Sequence, residues 1–258
     1  MSLIVFKLTL PPLLILAASL AGRRWGDAIG GWLVGLPLTS GPVAAFLAVQ
    51  YGPDFAAAAT NGSLVGTAAQ ACFSLGYVLI AQRGWLAALV CGTAAYALAG
   101  LLLQSLPLAH WGFFLVALAA LIGAARFIPH RAAIRVTVPT PWWDLPARML
   151  IATLIVLTLT AAAAFVGPKT AGVLASFPVF GTILAIFAHR ISGATMAIQV
   201  LRGMVLALYG FATFFFVLGL LLTTAGVLPA FLAALACTLL VQTGALRLLR
   251  RGHSLKAA

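Results

Sequence analysis

The sequence predicts an all-α polytopic membrane protein with about nine transmembrane helices, arranged as a 4+1+4 inverted-topology repeat with broken helices 2 and 7. Three observations lead to this fold class. The chain of 258 residues is 64% hydrophobic and only 7% charged, so one soluble core could not bury its apolar side chains. Apolar runs of about 20 residues, enough to cross a bilayer, follow one another with short breaks. A shift of 141 residues aligns the two halves of the chain.

The apolar runs give the individual spans. They predict helices near residues 4-21, 27-50, 55-81, 84-104, 109-127, 145-166, 170-189, 195-222 and 227-249. The first run resembles a signal peptide, but its counterpart in span six favours a retained helix. The predicted organisation is repeat one over 1-104, a linking span over 105-128, a cytoplasmic interfacial loop over 129-144, and repeat two with a basic tail over 145-258.

Basic residues predict the orientation of these spans. The even-numbered connections carry almost none except Lys169. The odd-numbered connections and the C-terminus carry Arg23, Arg24, Arg83, Arg126, Arg131, Arg135, Arg148, Arg190, Arg247, Arg250, Arg251 and Lys256. Cytoplasmic loops collect such residues, so the N-terminus is expected outside and the C-terminus in the cytoplasm. The net charge of +12 is therefore interpreted as an orientation signal beside the lipid bilayer rather than as a nucleic-acid surface.

The internal repeat has a recognisable pattern of glycine, leucine and proline. From residue 26 to residue 73 there are eleven identities in 48 aligned positions, where this composition would give about five by chance. An odd span between two four-span units makes the second unit enter the membrane inverted, as in many secondary transporters. The matched residues include Gly26, Gly31, Leu33 and Pro37 against Gly167, Gly172, Leu174 and Pro178, followed by Phe46/Phe187, Gly52/Gly193, Gly62/Gly203 and Phe73/Phe214.

The stretches 30-37 and 171-178 carry a resemblance to a known group of proteins. Each is rich in small residues and ends in proline, at Pro37 and Pro178. In this the chain resembles a group of small, uncharacterised bacterial integral inner-membrane proteins with an internal duplication. The resemblance implies a bacterial inner-membrane location and no particular activity.

Broken helices are predicted in spans two and seven. Proline lacks a backbone N–H and interrupts a helix, and Pro37 and Pro42 lie near the middle of span two, with Pro178 at the equivalent depth of span seven. Unpaired backbone in a bilayer is tolerated only where protein or a water-lined cavity satisfies it, so the matched breaks indicate a shared central site. The alternative is that these prolines only kink helices, with nearby glycines allowing close packing.

Both second half-helices are expected to begin near the midplane, where their N-terminal ends favour an anionic or strongly hydrogen-bonding solute. Asn61 and Arg202 occupy equivalent repeat positions and are expected to approach the same central region. A buried guanidinium is costly unless paired, so Arg202 either contacts an anion or extends to the interface, while Asn61 could form an ordinary interhelical bond. The predicted substrate-binding residues are Pro37, Thr39, Ser40, Gly41, Asn61, Pro178, Gly181, Thr182, Gln199 and Arg202.

The function that best fits this pattern is alternating-access transport of a small anionic or polar solute. The three acidic residues fall where spans begin, which argues against a carboxylate proton relay. No nucleophile with a base, metal-ligand spacing or nucleotide-binding loop is present, so neither an enzyme nor a metal or other cofactor is expected. A non-transporting scaffold or accessory subunit and a passive channel remain as alternatives.

Glycines four apart, such as Gly22 and Gly26, allow tight helix contact and a possible homodimer.

Overall fold

A computed structural model describes residues 40-129, 143-163 and 176-254, together with residues 9, 13, 16, 17, 20, 37 and 173. These residues form α-helices and short connections, and no strand occurs among them. Predicted span one as a continuous helix, the first halves of spans two and seven, and most of the 129-144 loop lie outside the described residues. The helices are α1 Ser40–Tyr51, α2 Pro53–Ile80, α3 Trp85–Gln104, α4 His110–Phe127, α5 Asp144–Ala163, α6 Val179–Ser192, α7 Ala194–Ala225 and α8 Val227–Ser254.

Five helices, α2, α3, α4, α7 and α8, are long and apolar enough to cross a membrane. They correspond to the predicted spans near 55-81, 84-104, 109-127, 195-222 and 227-249. Large apolar side chains on α3, α4 and α8 are exposed, for example Leu98, Leu115 and Leu240 at 61%, 61% and 74%. A soluble protein would cover such faces, so the fold is that of a multi-pass membrane protein.

α2 and α7 form the centre of the bundle. In their most apolar 18-residue stretches, 72% and 61% of residues are buried, against 22% in each of α3, α4 and α8. α2 packs on α7, on α3 and on α4, while α7 packs on α6, on α8 and also on α4. α4 thus contacts both central helices, and α3 and α8 form the outer layer.

Side-chain contacts between helices show which helix ends lie together at each end of the bundle. Asn61 early in α2 and Phe216 late in α7 both bind His110 at the start of α4. At the opposite end, Tyr77 late in α2 bonds His189, near the end of α6. We call these the Gly52 end and the Gly193 end, after the glycines that begin α2 and α7.

α1 and α6 are too short to cross the bundle. They have 12 and 14 residues, or about 18 and 21 Å at 1.5 Å per residue, whereas α2 and α7 have 28 and 32 residues. α1 ends beside Gly52 and α6 ends beside Gly193, at opposite ends of the bundle. Their N-termini therefore lie about halfway along the central helices, and the two short helices run in opposite directions.

Four glycines form the tight junctions between consecutive helices. Gly52, Gly84, Gly193 and Gly226 have φ of 90°, 108°, 85° and 82°, a region that other residues rarely adopt. Each is the residue immediately before α2, α3, α7 or α8. Under the 141-residue shift Gly52 coincides with Gly193, and Gly84 falls one residue from Gly226.

Candidate functional site

The starts of α1 and α6 share one backbone arrangement. The Gly41 amide donates to the Pro37 carbonyl at 2.7 Å, and the Thr182 amide donates to the Pro178 carbonyl at 2.8 Å. Both prolines are buried and lie outside the helices that follow them. Proline cannot donate to a preceding turn, which explains why each helix starts here. The two bonds are equivalent under the 141-residue shift.

Each helix start packs against a phenylalanine of the central helix in the other half of the chain. Phe73 of α2 meets Phe177, the residue before Pro178, edge to face with ring centroids 5.9 Å apart. Phe214 of α7 lies against Gly41, where a Cβ would be 3.6 Å from the Phe214 ring. Phe73 and Phe214 are equivalent positions and are 0% and 2% exposed. Equivalent phenylalanines of α2 and α7 thus pack near the two helix starts, although they touch different positions there.

Side chains from α2 and α3 position the turn that leads into α6. Gln70, 5% exposed, donates from Nε2 to the Ser176 carbonyl at 2.9 Å. Tyr96 donates its hydroxyl to the Val173 carbonyl at 2.5 Å. Gly66 lets the turn approach α2 closely, because a Cβ at position 66 would overlap the Ser176 side chain. These carbonyls therefore receive protein donors, as buried backbone must in a membrane.

The first turn of α6 keeps donors that the protein does not use. Val179 donates to Phe177, but the amides of Phe180 and Gly181 have no backbone acceptor among the described residues. Pro178 precedes them and offers no side-chain cap. The Thr182 hydroxyl is buried, at 2% exposure of the residue, and has no hydrogen-bond partner.

Thr182 differs in this from most hydroxyl residues of the bundle. Threonines in apolar helices usually donate to a carbonyl three or four residues earlier, which satisfies the hydroxyl within the helix. The hydroxyls of Thr60, Thr67, Ser74, Thr153, Thr158, Thr213 and Thr238 do so. The missing bond at Thr182 is a specific property of this site.

The remaining residues predicted near the midplane are distributed as follows. Ser40 is half-buried at the first position of α1, and Thr39 lies outside the described residues. Gln199 lies in α7, partly buried, and its Nε2 is buried without a partner. Gly181 faces Met204 of α7, whose sulfur occupies the place where a Cβ would project.

Asn61 and Arg202 do not approach one central region, in contrast to the expectation from their equivalent positions. The Asn61 side chain lies 2.6 Å from His110 Nδ1 at the start of α4. Arg202 donates to the carbonyl of Ile128, just after the end of α4, at 2.7 Å. Asn61 and Arg202 therefore hold opposite ends of α4. A guanidinium at a helix C-terminus also meets the negative end of the helix dipole.

His110 is a structural residue that the sequence did not single out. Its Nε2 lies 2.9 Å from the Phe216 carbonyl, and its ring stacks on Phe216 at 5.3 Å. Gly219 permits this approach, because a Cβ there would overlap the imidazole and the Thr60 hydroxyl. The position of His110 just before a long apolar run was the available signal, but such a residue is equally typical of a solvated loop.

The described residues contain no group of three or more His, Cys, Asp or Glu side chains that could hold a metal ion. The unpartnered polar groups among the predicted site residues are hydrogen-bonding groups: the Thr182 hydroxyl beside the first turn of α6, and, in α7, the Gln199 amide nitrogen. Comparison with known proteins found no matching family model, no matching curated protein and no matching solved structure.

Proposed function

We propose that this protein is a secondary transporter that moves a small anionic or polar solute across a bacterial inner membrane by alternating access. Its substrate would bind between the starts of α1 and α6, and the two halves of the chain would rock about that site. The proposal includes nine spans in the order four, one, four, with the second four inverted. In this proposal the protein is not an enzyme and needs no cofactor.

One observation supports the proposal above all others. The Pro37–Gly41 and Pro178–Thr182 backbone bonds are equivalent, and both lie where a short helix begins about halfway along the bundle. In inverted-repeat transporters, such discontinuous helices direct the positive ends of their dipoles at the substrate near the midplane. The equivalent positions of Phe73 and Phe214, each of which packs near the start of the short helix in the other half, support the same arrangement.

Helix pairing is consistent with an inverted repeat. α3 packs on α6, and its equivalent pair, α8 and α1, also pack on each other. Likewise α1 with α2 corresponds to α6 with α7, and α2 with α3 corresponds to α7 with α8. The odd helix α4 contacts both central helices, as expected for an element between the two halves.

The direction of insertion is proposed from charge. Arg83, Arg126 and Arg190 are exposed where helices meet the Gly193 end, and Asp54 is exposed at the Gly52 end. Loops rich in arginine favour the cytoplasm, so the Gly193 end would be cytoplasmic, with the C-terminus inside and the N-terminus outside.

Alternating access requires that each end of the bundle can close and open. At the Gly52 end His110 links α2 and α4 to α7, and at the Gly193 end Tyr77 links α2 to α6 at 3.0 Å. Arg190 also lies over the Trp85 ring at 5.6 Å at the latter end. In the proposed cycle these two sets of contacts break in turn while the midplane site stays intact.

The experiment is solute flux in proteoliposomes after a thermal-shift screen of the purified protein against small anions, amino acids and amphiphilic drugs. A ligand of the folded state raises its apparent stability by mass action. We expect saturable uptake and counterflow for a stabilising solute. Pro37→Ala and Pro178→Ala should each lower that flux about tenfold or more, because an added amide lets the helix extend through the site.

The control is Pro229→Ala in the exposed first turn of α8, which should transport normally. Flux that neither saturates nor shows counterflow would indicate a passive channel. Well-folded protein that moves no tested solute, with the proline variants altering only its expression, would support a scaffold or accessory subunit and overturn the proposal.

A further inference from the structure

The backbone polar groups that remain unpaired at the start of α6 are all hydrogen-bond donors. The carbonyls of Ser176, Phe177 and Pro178 accept bonds from Gln70, Val179 and Thr182 respectively. The amides of Phe180 and Gly181 donate to nothing in the described chain. A ligand that completes this site must therefore supply hydrogen-bond acceptors.

The Thr182 hydroxyl belongs to the same first turn. The Cα–Cβ bond of a helical residue leans toward the N-terminus of the helix, so the Thr182 side chain starts on the side of the turn that holds the free amides. A buried hydroxyl without a partner is costly to maintain, and this residue is 2% exposed. Two adjacent amides and one hydroxyl suit a group with two acceptor oxygens, such as a carboxylate.

The positive charge available at the first turn of α6 limits the charge of the anion that can bind there. Arg190 lies at the opposite end of α6 over Trp85, and Arg202 donates to the Ile128 carbonyl. Arg83 and Arg126 are exposed at the Gly193 end, so none of these four arginines lies at the first turn of α6. What this turn offers is the positive end of the helix dipole, equivalent to about half a positive charge. Half a positive charge suits a singly charged anion better than a doubly charged one, because the second charge would lose more hydration than this turn replaces.

We propose that the first turn of α6 binds the carboxylate group of a small monocarboxylate through the amides of Phe180 and Gly181 and the hydroxyl of Thr182. The inference rests on the proposed function, since this ligand would be the transported solute. Met204, which is 3% exposed and lies against Gly181, covers the turn. Its flexible thioether side chain can change rotamer to admit the ligand.

The test compares Thr182→Val with the wild type in detergent, using sodium acetate and sodium propionate as probes. Both should raise the melting temperature of the wild type, whereas sodium sulfate and uncharged acetamide should not. Thr182→Val keeps the shape but removes the hydroxyl, so apparent acetate affinity should fall about tenfold or more. The unliganded variant should melt at the same temperature as the wild type or higher, because an unsatisfied polar group has been removed.

Thr67→Val is the matched control. Thr67 is 0% exposed and donates to the Ser63 carbonyl at 2.8 Å, so its loss should lower the melting temperature but leave the acetate response unchanged. Thr182→Ser should retain binding. The inference is overturned if acetate and propionate leave the wild type unshifted, if sulfate or acetamide acts equally, or if Thr182→Val responds like the wild type.

Flux measurements separate this inference from the proposed function. Acetate binding that depends on Thr182, without any flux in proteoliposomes, would support the site and contradict transport. Saturable flux of another solute, together with no monocarboxylate binding, would support transport and overturn the carboxylate assignment.

Discussion

At the scale of single residues, small side chains decide how closely the helices approach. Gly66 gives room to Ser176, and Gly219 gives room to His110. Both contacts join segments that are more than a hundred residues apart in sequence. Close approach by glycine is a general way of packing helices in a membrane, where van der Waals contact replaces the hydrophobic effect as the driving force.

Gly66→Ala should lower the stability of the folded protein by about 1 to 3 kcal/mol, the usual cost of overpacking. The added Cβ would overlap the Ser176 side chain and displace the turn before α6. Thermal unfolding in detergent measures the change. Gly203→Ala, in α7, meets no atom within 4 Å and should leave stability equal or slightly higher. Equal effects of the two substitutions would contradict the packing described here.

At the scale of elements, the half-length helices depend on what precedes and follows them. Pro37 and Pro178 set where α1 and α6 begin, and Gly52 and Gly193 set where they turn back. Asn61 and Phe73 of α2, and Arg202 and Phe214 of α7, then hold neighbouring elements in place. The two residues in each of four pairs are 141 positions apart: Pro37 and Pro178, Gly52 and Gly193, Asn61 and Arg202, and Phe73 and Phe214.

Gly52→Ala and Gly193→Ala should each cost about 1 to 3 kcal/mol, the penalty for placing a side chain in the extended positive-φ region that glycine alone adopts readily. A Cβ at either position meets no atom within 4 Å, so backbone strain is the only cause. Chemical or thermal unfolding of the purified variants measures it. Gly123→Ala, which has open space and no positive φ, is the control and should not lose stability. A loss at one junction alone would indicate that the two junctions are not equivalent.

At the scale of the whole molecule, the proposed inverted arrangement fixes which end faces which side of the membrane. Asp54 and Gln82 are exposed near opposite ends of α2. In a background with Cys72, Cys91 and Cys237 replaced by alanine, Asp54→Cys should react with a membrane-impermeant maleimide on intact spheroplasts. Gln82→Cys should react only after permeabilisation. Labelling of both from the same side would be inconsistent with a membrane-crossing α2, and a reversed pattern would contradict the proposed orientation.

The positions of the candidate site residues were predictable in part. Proline chemistry alone predicted that helices begin after Pro37 and Pro178, because a missing N–H is a local property. The unpartnered state of the Thr182 hydroxyl was not predictable, because it depends on which carbonyls other segments have already satisfied. Nor was the role of Ser176 and Gln70, whose bond joins residues 106 apart in sequence.

The sequence by itself determined the class of protein, five long apolar helices among the nine predicted spans, and the starts of α1 and α6 after Pro37 and Pro178. These features follow from composition, run length and the backbone chemistry of proline, which act within a few residues. Only the tertiary structure decided that Asn61 and Arg202 hold opposite ends of α4, and that His110 links three helices. The physical reason is that a hydrogen bond between helices depends on their relative position and rotation, which packing of the whole bundle sets.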